Sequence, residues 1–115
     1  MTSPLTNKSV SPRYLWGKNC ESFVLLNNAS LSVKQEIMPP GSEEILHYHV
    51  SARQLFFILA GEATFEIDGK EIRAKASEAV RIDPGQKHFI RNQSSENIEF
   101  LVISQPATEN DRVNV

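Results

Sequence analysis

The three histidines of this chain lie at spacings that fit β-strands. His47 and His49 are separated by one residue, and His88 follows a Pro84-Gly85 pair that predicts a turn. Because side chains alternate between the two faces of a strand, His47 and His49 project from one face while Tyr48 points away. Two imidazoles on one strand face, joined by a third from another strand, can bind a metal ion. The sequence therefore predicts a sheet protein with a metal site.

A fourth ligand is predicted at Gln54, because a short hairpin brings its side chain onto the strand beside the histidine pair. An apolar run from Leu55 to Leu59 and a turn at Gly61 complete that strand. This donor set suits Zn, Ni, Fe or Mn, so ligand type alone does not choose the metal. We expect a divalent metal ion, with positions left for water or substrate, to be held by His47, His49, Gln54 and His88.

The rest of the sequence alternates with a period of two, as strands with one buried face do. Asp68-Gly69 lies between two such segments and is typical of a two-residue hairpin turn, since both turn positions favour positive φ. Residues 100–103 form a continuous apolar run that fits a strand buried on both faces. Short strands separated by turn residues predict an all-β sandwich or barrel, and no stretch has a convincing helical pattern.

These spacings resemble the two signatures of the cupin superfamily. Residues 41–61 have the complete spacing of the first signature, and residues 85–92 resemble the second. The resemblance implies a small antiparallel jelly-roll barrel in which three His and one Glu bind a divalent metal. The chain departs from the pattern at Gln54, which stands at the usual Glu position, and at the turn positions Ser77 and Asp83.

The chain has the size and apolar content of one domain, with 115 residues and 40% hydrophobic content. We expect an N-terminal arm over residues 1–21, a single barrel over residues 22–104 and a C-terminal tail over residues 105–115. The net charge of −2 and the scattered Lys and Arg residues argue against binding to nucleic acid.

Further features of the sequence predict the cellular location and the oligomeric state. No apolar run is long enough for a membrane span, and the N-terminus lacks the apolar segment of a signal peptide. The single cysteine, Cys20, fits a reducing cytoplasm. The family resemblance and the apolar outward side chains of Leu55, Phe57 and Leu59 predict a homodimer.

The identity of the fourth ligand shapes the expected chemistry. An amide is neutral, so three imidazoles and Gln54 leave the charge of the metal uncompensated. Such a centre is a strong Lewis acid that attracts anionic, oxygen-bearing ligands. We therefore expect an isomerase or lyase acting on a sugar or keto-acid-like metabolite. The alternatives are a non-catalytic cupin that binds a small molecule, and a metal-dependent dioxygenase.

The substrate pocket is expected on the same inward face as the metal. Gln35 interrupts an apolar alternation and is a candidate hydrogen-bonding residue. An acid or base near the metal would favour an enzyme, whereas an apolar pocket without a titratable group would favour a binding protein. The sequence assigns no catalytic residue. The predicted pocket residues are Gln35, Phe56, Ile58, Leu101 and Ile103.

Overall fold

The computed structural model describes residues 3–115, which form eleven strands and no helix. Within that range, no helical segment has the length and apolarity that crossing a membrane requires. The strands are β1 (Arg13–Trp16), β2 (Cys20–Asn28), β3 (Leu31–Met38), β4 (His47–His49), β5 (Arg53–Ala60), β6 (Glu62–Ile67), β7 (Lys70–Lys75), β8 (Ala79–Ile82), β9 (His88–Arg91), β10 (Ile98–Gln105) and β11 (Arg112–Asn114).

Two antiparallel sheets form the barrel. The six-stranded sheet has the order β1-β2-β3-β10-β5-β8, and the five-stranded sheet has the order β11-β4-β9-β6-β7. Aromatic side chains from both sheets meet between them, with the rings of Phe56 and Phe65 5.2 Å apart. The predicted all-β jelly-roll architecture in a single domain is confirmed.

The Asp68-Gly69 hairpin positions part of the site. It joins β6 to β7 with positive φ at both residues, 49° and 83°, as the sequence predicts. The backbone N–H of Asp68 donates to the Lys87 carbonyl at 2.8 Å, and the Asp68 carboxylate accepts from the Lys87 N–H at 3.0 Å. The turn therefore holds the segment that leads directly into His88.

Regular strand pairing continues into both flanking segments. β1 pairs with β2, and β11 pairs with β4 so that Arg112 lies opposite His49. Paired strands therefore lie on both sides of the predicted barrel range, residues 22–104. The boundaries at residues 22 and 104 stay a prediction. The pairing of β11 brings the end of the chain to the strand that carries two histidines.

The inward face changes from apolar to polar along the barrel. Phe100 and Phe65 are fully buried, and Phe56 contacts both rings. Further along β10, on the same inward face as Phe100, Ser104 lies opposite Gln54 on β5. The apolar core thus fills one end of the barrel, and a polar cavity opens at the other.

Candidate metal site

The three histidines meet at the polar end of the barrel. β4 carries His47 and His49 on its inward face with Tyr48 between them, and His88 at the start of β9 lies opposite His47. All three histidines are buried, and their ligand nitrogens lie within 4.8 Å of one another. The cluster is therefore positioned to bind one metal ion, as the sequence predicts.

Backbone carbonyl groups orient two of the imidazoles. The Nδ1–H of His47 donates to the Ile45 carbonyl at 2.7 Å, and the Nδ1–H of His88 donates to the Gln86 carbonyl at 2.8 Å. Each of these rings is left with an unprotonated Nε2 as its ligand atom. His49 differs, because its buried Nδ1 has no hydrogen-bond partner among the described residues. A buried nitrogen without a partner is costly unless something binds it.

Gln54 approaches the cluster from the other sheet. Its side-chain NH₂ donates to the Ser104 hydroxyl at 3.0 Å, which turns the amide oxygen towards Nε2 of His88 at 3.2 Å. With the His88 proton on Nδ1, two lone-pair-bearing atoms face each other, and a cation beside them would remove that conflict. The donor set therefore fits a divalent metal, and a ligand role for Gln54 stays a prediction.

The protonation of the histidines also suits metal binding. Burial lowers the pKa of His47 to about 3 and that of His49 to about 4, and it lowers the pKa of His88 as well. Repulsion between neighbouring imidazolium charges acts in the same direction on His47 and His49. Neutral imidazole is the form that binds a metal, so protons do not compete near neutral pH.

A cavity of about 220 Å³ lies beside the histidines and contains two carboxyl groups. Glu36 projects inward from β3 and is 8% exposed, and Glu44 accepts a hydrogen bond from the Ile90 N–H at 3.3 Å. Burial raises the pKa of Glu36, and burial together with the Glu36 charge raises the pKa of Glu44 to about 8. Neither carboxylate forms an ion pair within residues 3–115.

The predicted pocket is wrong for three residues. Gln35 and Leu101 lie opposite each other on the outer face of the six-stranded sheet, where Gln35 donates to Glu99. Ile103 lies on that outer face as well, two residues along β10. On β3 the charged alternates Lys34 and Glu36 face the polar cavity, which leaves Gln35 on the outer face. On β10 both faces are apolar, and the inward one carries Phe100 and Val102. The cavity is lined instead by Lys34, Glu36, Val102 and Ser104 from these two strands.

The other predicted pocket residues lie in the core. Phe56 and Ile58 face inward as expected, but they are 3% and 0% exposed and do not line the cavity. The walls include Tyr14 and Trp16 of β1 and Arg112 of β11, none of which the sequence prediction placed in the site. These residues come from short strands at the two ends of the chain, where the sequence pattern gives no pairing signal.

Comparison with known proteins places these features in a family context. The sequence model described as "Cupin domain" matches residues 34–104. An oxalate-binding protein of Thermotoga maritima is 35% identical over 77 residues, which are 67% of this chain and 63% of that protein. The chain spans about three fifths of the length of the first curated relatives it matches.

Solved structures share the whole architecture. A predicted oxalate decarboxylase from Thermotoga maritima has a TM-score of 0.79 and 26% identity, covering 90% of this chain and 99% of that one. An uncharacterized double-stranded β-helix protein from Klebsiella pneumoniae has a TM-score of 0.82 and 21% identity, covering 99% of this chain and 98% of that one. The second likeness concerns the fold alone.

Proposed function

The chain belongs to the cupin domain family, and from that premise we propose that it is a metal-dependent enzyme for non-redox chemistry, an isomerase or lyase. The observation that carries this proposal is the presence of two carboxyl groups, Glu36 and Glu44, in the cavity beside the three histidines. A site that only stores or senses a small molecule does not require a proton donor or acceptor beside its metal. A Lewis-acid enzyme usually does.

The chain's own residues supply the parts that such chemistry needs. A divalent metal bound by the histidines would polarise an oxygen atom of the ligand. Glu44, whose pKa burial raises to about 8, is suited to give or take a proton close to neutral pH, and burial raises the pKa of Glu36 as well. Gln54, as a neutral neighbour, would leave the charge of the metal undiminished.

The proposed ligand class is a small, oxygen-rich anion such as a keto acid or a sugar acid. A strongly electrophilic metal favours anionic oxygen ligands. The names of two similar proteins, the oxalate-binding protein and the predicted oxalate decarboxylase, both refer to a small carboxylate. They support the class of ligand, and the individual metabolite is left to experiment.

A metabolite screen tests the reaction class. The protein would be loaded in turn with Zn, Ni, Fe and Mn and incubated with keto acids, hydroxy acids and uronates, with and without oxygen. We expect metal-dependent turnover at equal rates under both conditions. Turnover that consumes oxygen and stops under anaerobic conditions would identify a dioxygenase and overturn the proposal. Tight binding without turnover would identify a binding protein.

Gln54→Glu tests whether the neutral amide sets the chemistry. A carboxylate adds Coulombic attraction, so the variant is expected to bind metal at least as tightly as the parent. Its turnover is expected to fall about tenfold, because less of the metal charge remains to polarise the substrate. Metal affinity and the pH dependence of turnover would be measured on both proteins. The matched control is Gln93→Glu, an exposed position outside the cavity that should change neither value.

We also propose a homodimer formed through the outer face of the six-stranded sheet. Leu55 and Phe57 on β5 are half-buried and Leu59 is 40% exposed, and apolar side chains of β10 continue this surface. Light scattering at micromolar concentration is expected to give the mass of a dimer, and Phe57→Glu is expected to give a monomer. A monodisperse parent monomer would remove the proposal.

A cytoplasmic location stays a prediction.

A further inference from the structure

Two basic side chains of the cavity form no ion pair among the described residues. Lys34 on β3 and Arg112 on β11 both line the cavity, yet neither forms an ion pair within residues 3–115. Lys34 instead donates to the Tyr14 hydroxyl at 2.9 Å and lies over its ring. Glu36 and Glu44 share this cavity, but neither lies within ion-pair distance of these two cations, so both cations are available for an anionic ligand.

Arg112 lies nearer to the metal ligands than its place in the chain suggests. It is directly opposite His49 in the β11–β4 pairing, and cross-strand neighbours of this kind have Cβ atoms about 4.5–5.5 Å apart. Its Nη2 donates to the Ile45 carbonyl at 3.4 Å, the same carbonyl that accepts the Nδ1–H of His47 at 2.7 Å. The guanidinium group is therefore held beside the histidine cluster at the mouth of the cavity.

Asp111, the residue before Arg112, holds β11 against the barrel. The Asp111 carboxylate accepts from the backbone N–H of Ser51 at 3.0 Å and of Ala52 at 2.8 Å, just after β4 ends. The Asp111 carbonyl also accepts from the Val50 N–H at 3.2 Å. These hydrogen bonds fix the backbone next to Arg112 to the segment that follows β4.

We propose that Arg112 binds the carboxylate of the ligand while a neighbouring oxygen of the same ligand coordinates the metal. A 2-oxo or 2-hydroxy acid has that arrangement of oxygens, whereas a neutral sugar has no group for the guanidinium fork. This inference rests on the proposed function and narrows its ligand class. It makes Arg112 a binding residue that selects carboxylates.

The test compares pyruvate with pyruvamide, which keeps the 2-oxo oxygen and lacks the negative charge. Zn-loaded parent and Arg112→Gln would be titrated by calorimetry with each compound. We expect Arg112→Gln to weaken pyruvate binding about 10–100-fold, the range for a lost charged hydrogen bond, and to leave pyruvamide binding unchanged. Arg112→Lys is expected to recover part of the loss, since it restores the charge without the planar fork.

Arg81→Gln is the matched control, because it removes an exposed arginine that does not line this cavity. It should bind pyruvate as the parent does, and all variants should hold the same amount of zinc. Equal pyruvate affinity in the parent and Arg112→Gln, or no preference of the parent for pyruvate over pyruvamide, would overturn the inference. Zinc content and the anaerobic turnover screen are measured separately, so they decide on the proposed function independently.

Discussion

Replacing His88 with alanine is expected to abolish stoichiometric metal binding while the barrel still folds. The variant removes one of three imidazole ligands and the ring that the Gln54 oxygen faces. Metal affinity should fall by more than about 100-fold, because even residues that only support a ligand typically cost about 10–100-fold. Metal content after dialysis, determined by elemental analysis, measures the effect.

The neighbouring exposed residue provides the control for this variant. Lys87→Ala changes the same segment without touching the cluster, and its metal content should match that of the parent. The fold of His88→Ala should persist, because the core around Phe56, Phe65 and Phe100 lies apart from the histidines. Circular dichroism of the metal-free proteins checks this point. A parent-like metal content in His88→Ala would show that the ligand set is wrong.

The sequence predicted the histidine cluster because its geometry is largely local. One strand of three residues fixes His47 and His49 on one face, whatever the rest of the barrel does. His88 could be added because its position after a turn is part of a recognisable spacing. The Asp68-Gly69 hairpin was predictable for the same reason, since the turn conformation depends on those two residues.

The faces of β3 and β10 could not be predicted in the same way. The usual rule places apolar alternates inside, and it assigns Leu101 and Gln35 to the interior. On β3 the structure does the opposite, since Glu36 lines a polar cavity and Gln35 lies on the outer face. On β10 both sets of alternates are apolar, so the pattern does not choose between them, and the inward residues are Phe100 and Val102. A functional cavity is a region where the pattern of burial is expected to depart from the rule.

The position of Arg112 beside the histidines depends on pairing between distant parts of the chain. β11 has three residues, and nothing in them indicates a partner strand. Its place beside β4 follows from the bonds between Asp111 and the backbone of Ser51 and Ala52. A carboxylate that accepts from two backbone N–H groups far away in sequence leaves no periodic signal, so the residue was visible only in the structure.

Replacing Glu44 with glutamine is expected to lower turnover by about 100-fold or more, the usual worth of a general acid or base, with metal affinity unchanged. Glu36→Gln should act similarly, because the two carboxyl groups share the cavity and the charge of Glu36 raises the pKa of Glu44. The control is Glu43→Gln, which is adjacent in sequence but exposed and outside the cavity wall.

Stability of the metal-free protein gives a second measurement that does not depend on activity. The pKa of Glu44 rises from 4.5 to about 8 in the folded state, chiefly through burial and then through Glu36, with Arg112 acting in the opposite direction. The folded state therefore holds a proton that the unfolded chain has already lost. The stability that this proton provides is present below pH 4.5 and is lost as the pH rises towards about 8.

The Glu44→Gln side chain stays neutral at every pH, so its metal-free form should lose less stability over that range. At pH 8 its Tm is expected to exceed that of the parent by at least about 4 °C. A change of ~1 kcal/mol in the free energy of unfolding corresponds to a Tm shift of about 4–8 °C in a domain near this size. Both proteins should still lose stability in acid, because the histidines, whose pKa values are lowered by burial, favour the neutral form in the folded state. Differential scanning fluorimetry from pH 4 to 9 measures the two curves. If the Tm curves of the two proteins run parallel above neutral pH and turnover is unchanged, Glu44 neither binds a proton in the folded state at that pH nor takes part in catalysis.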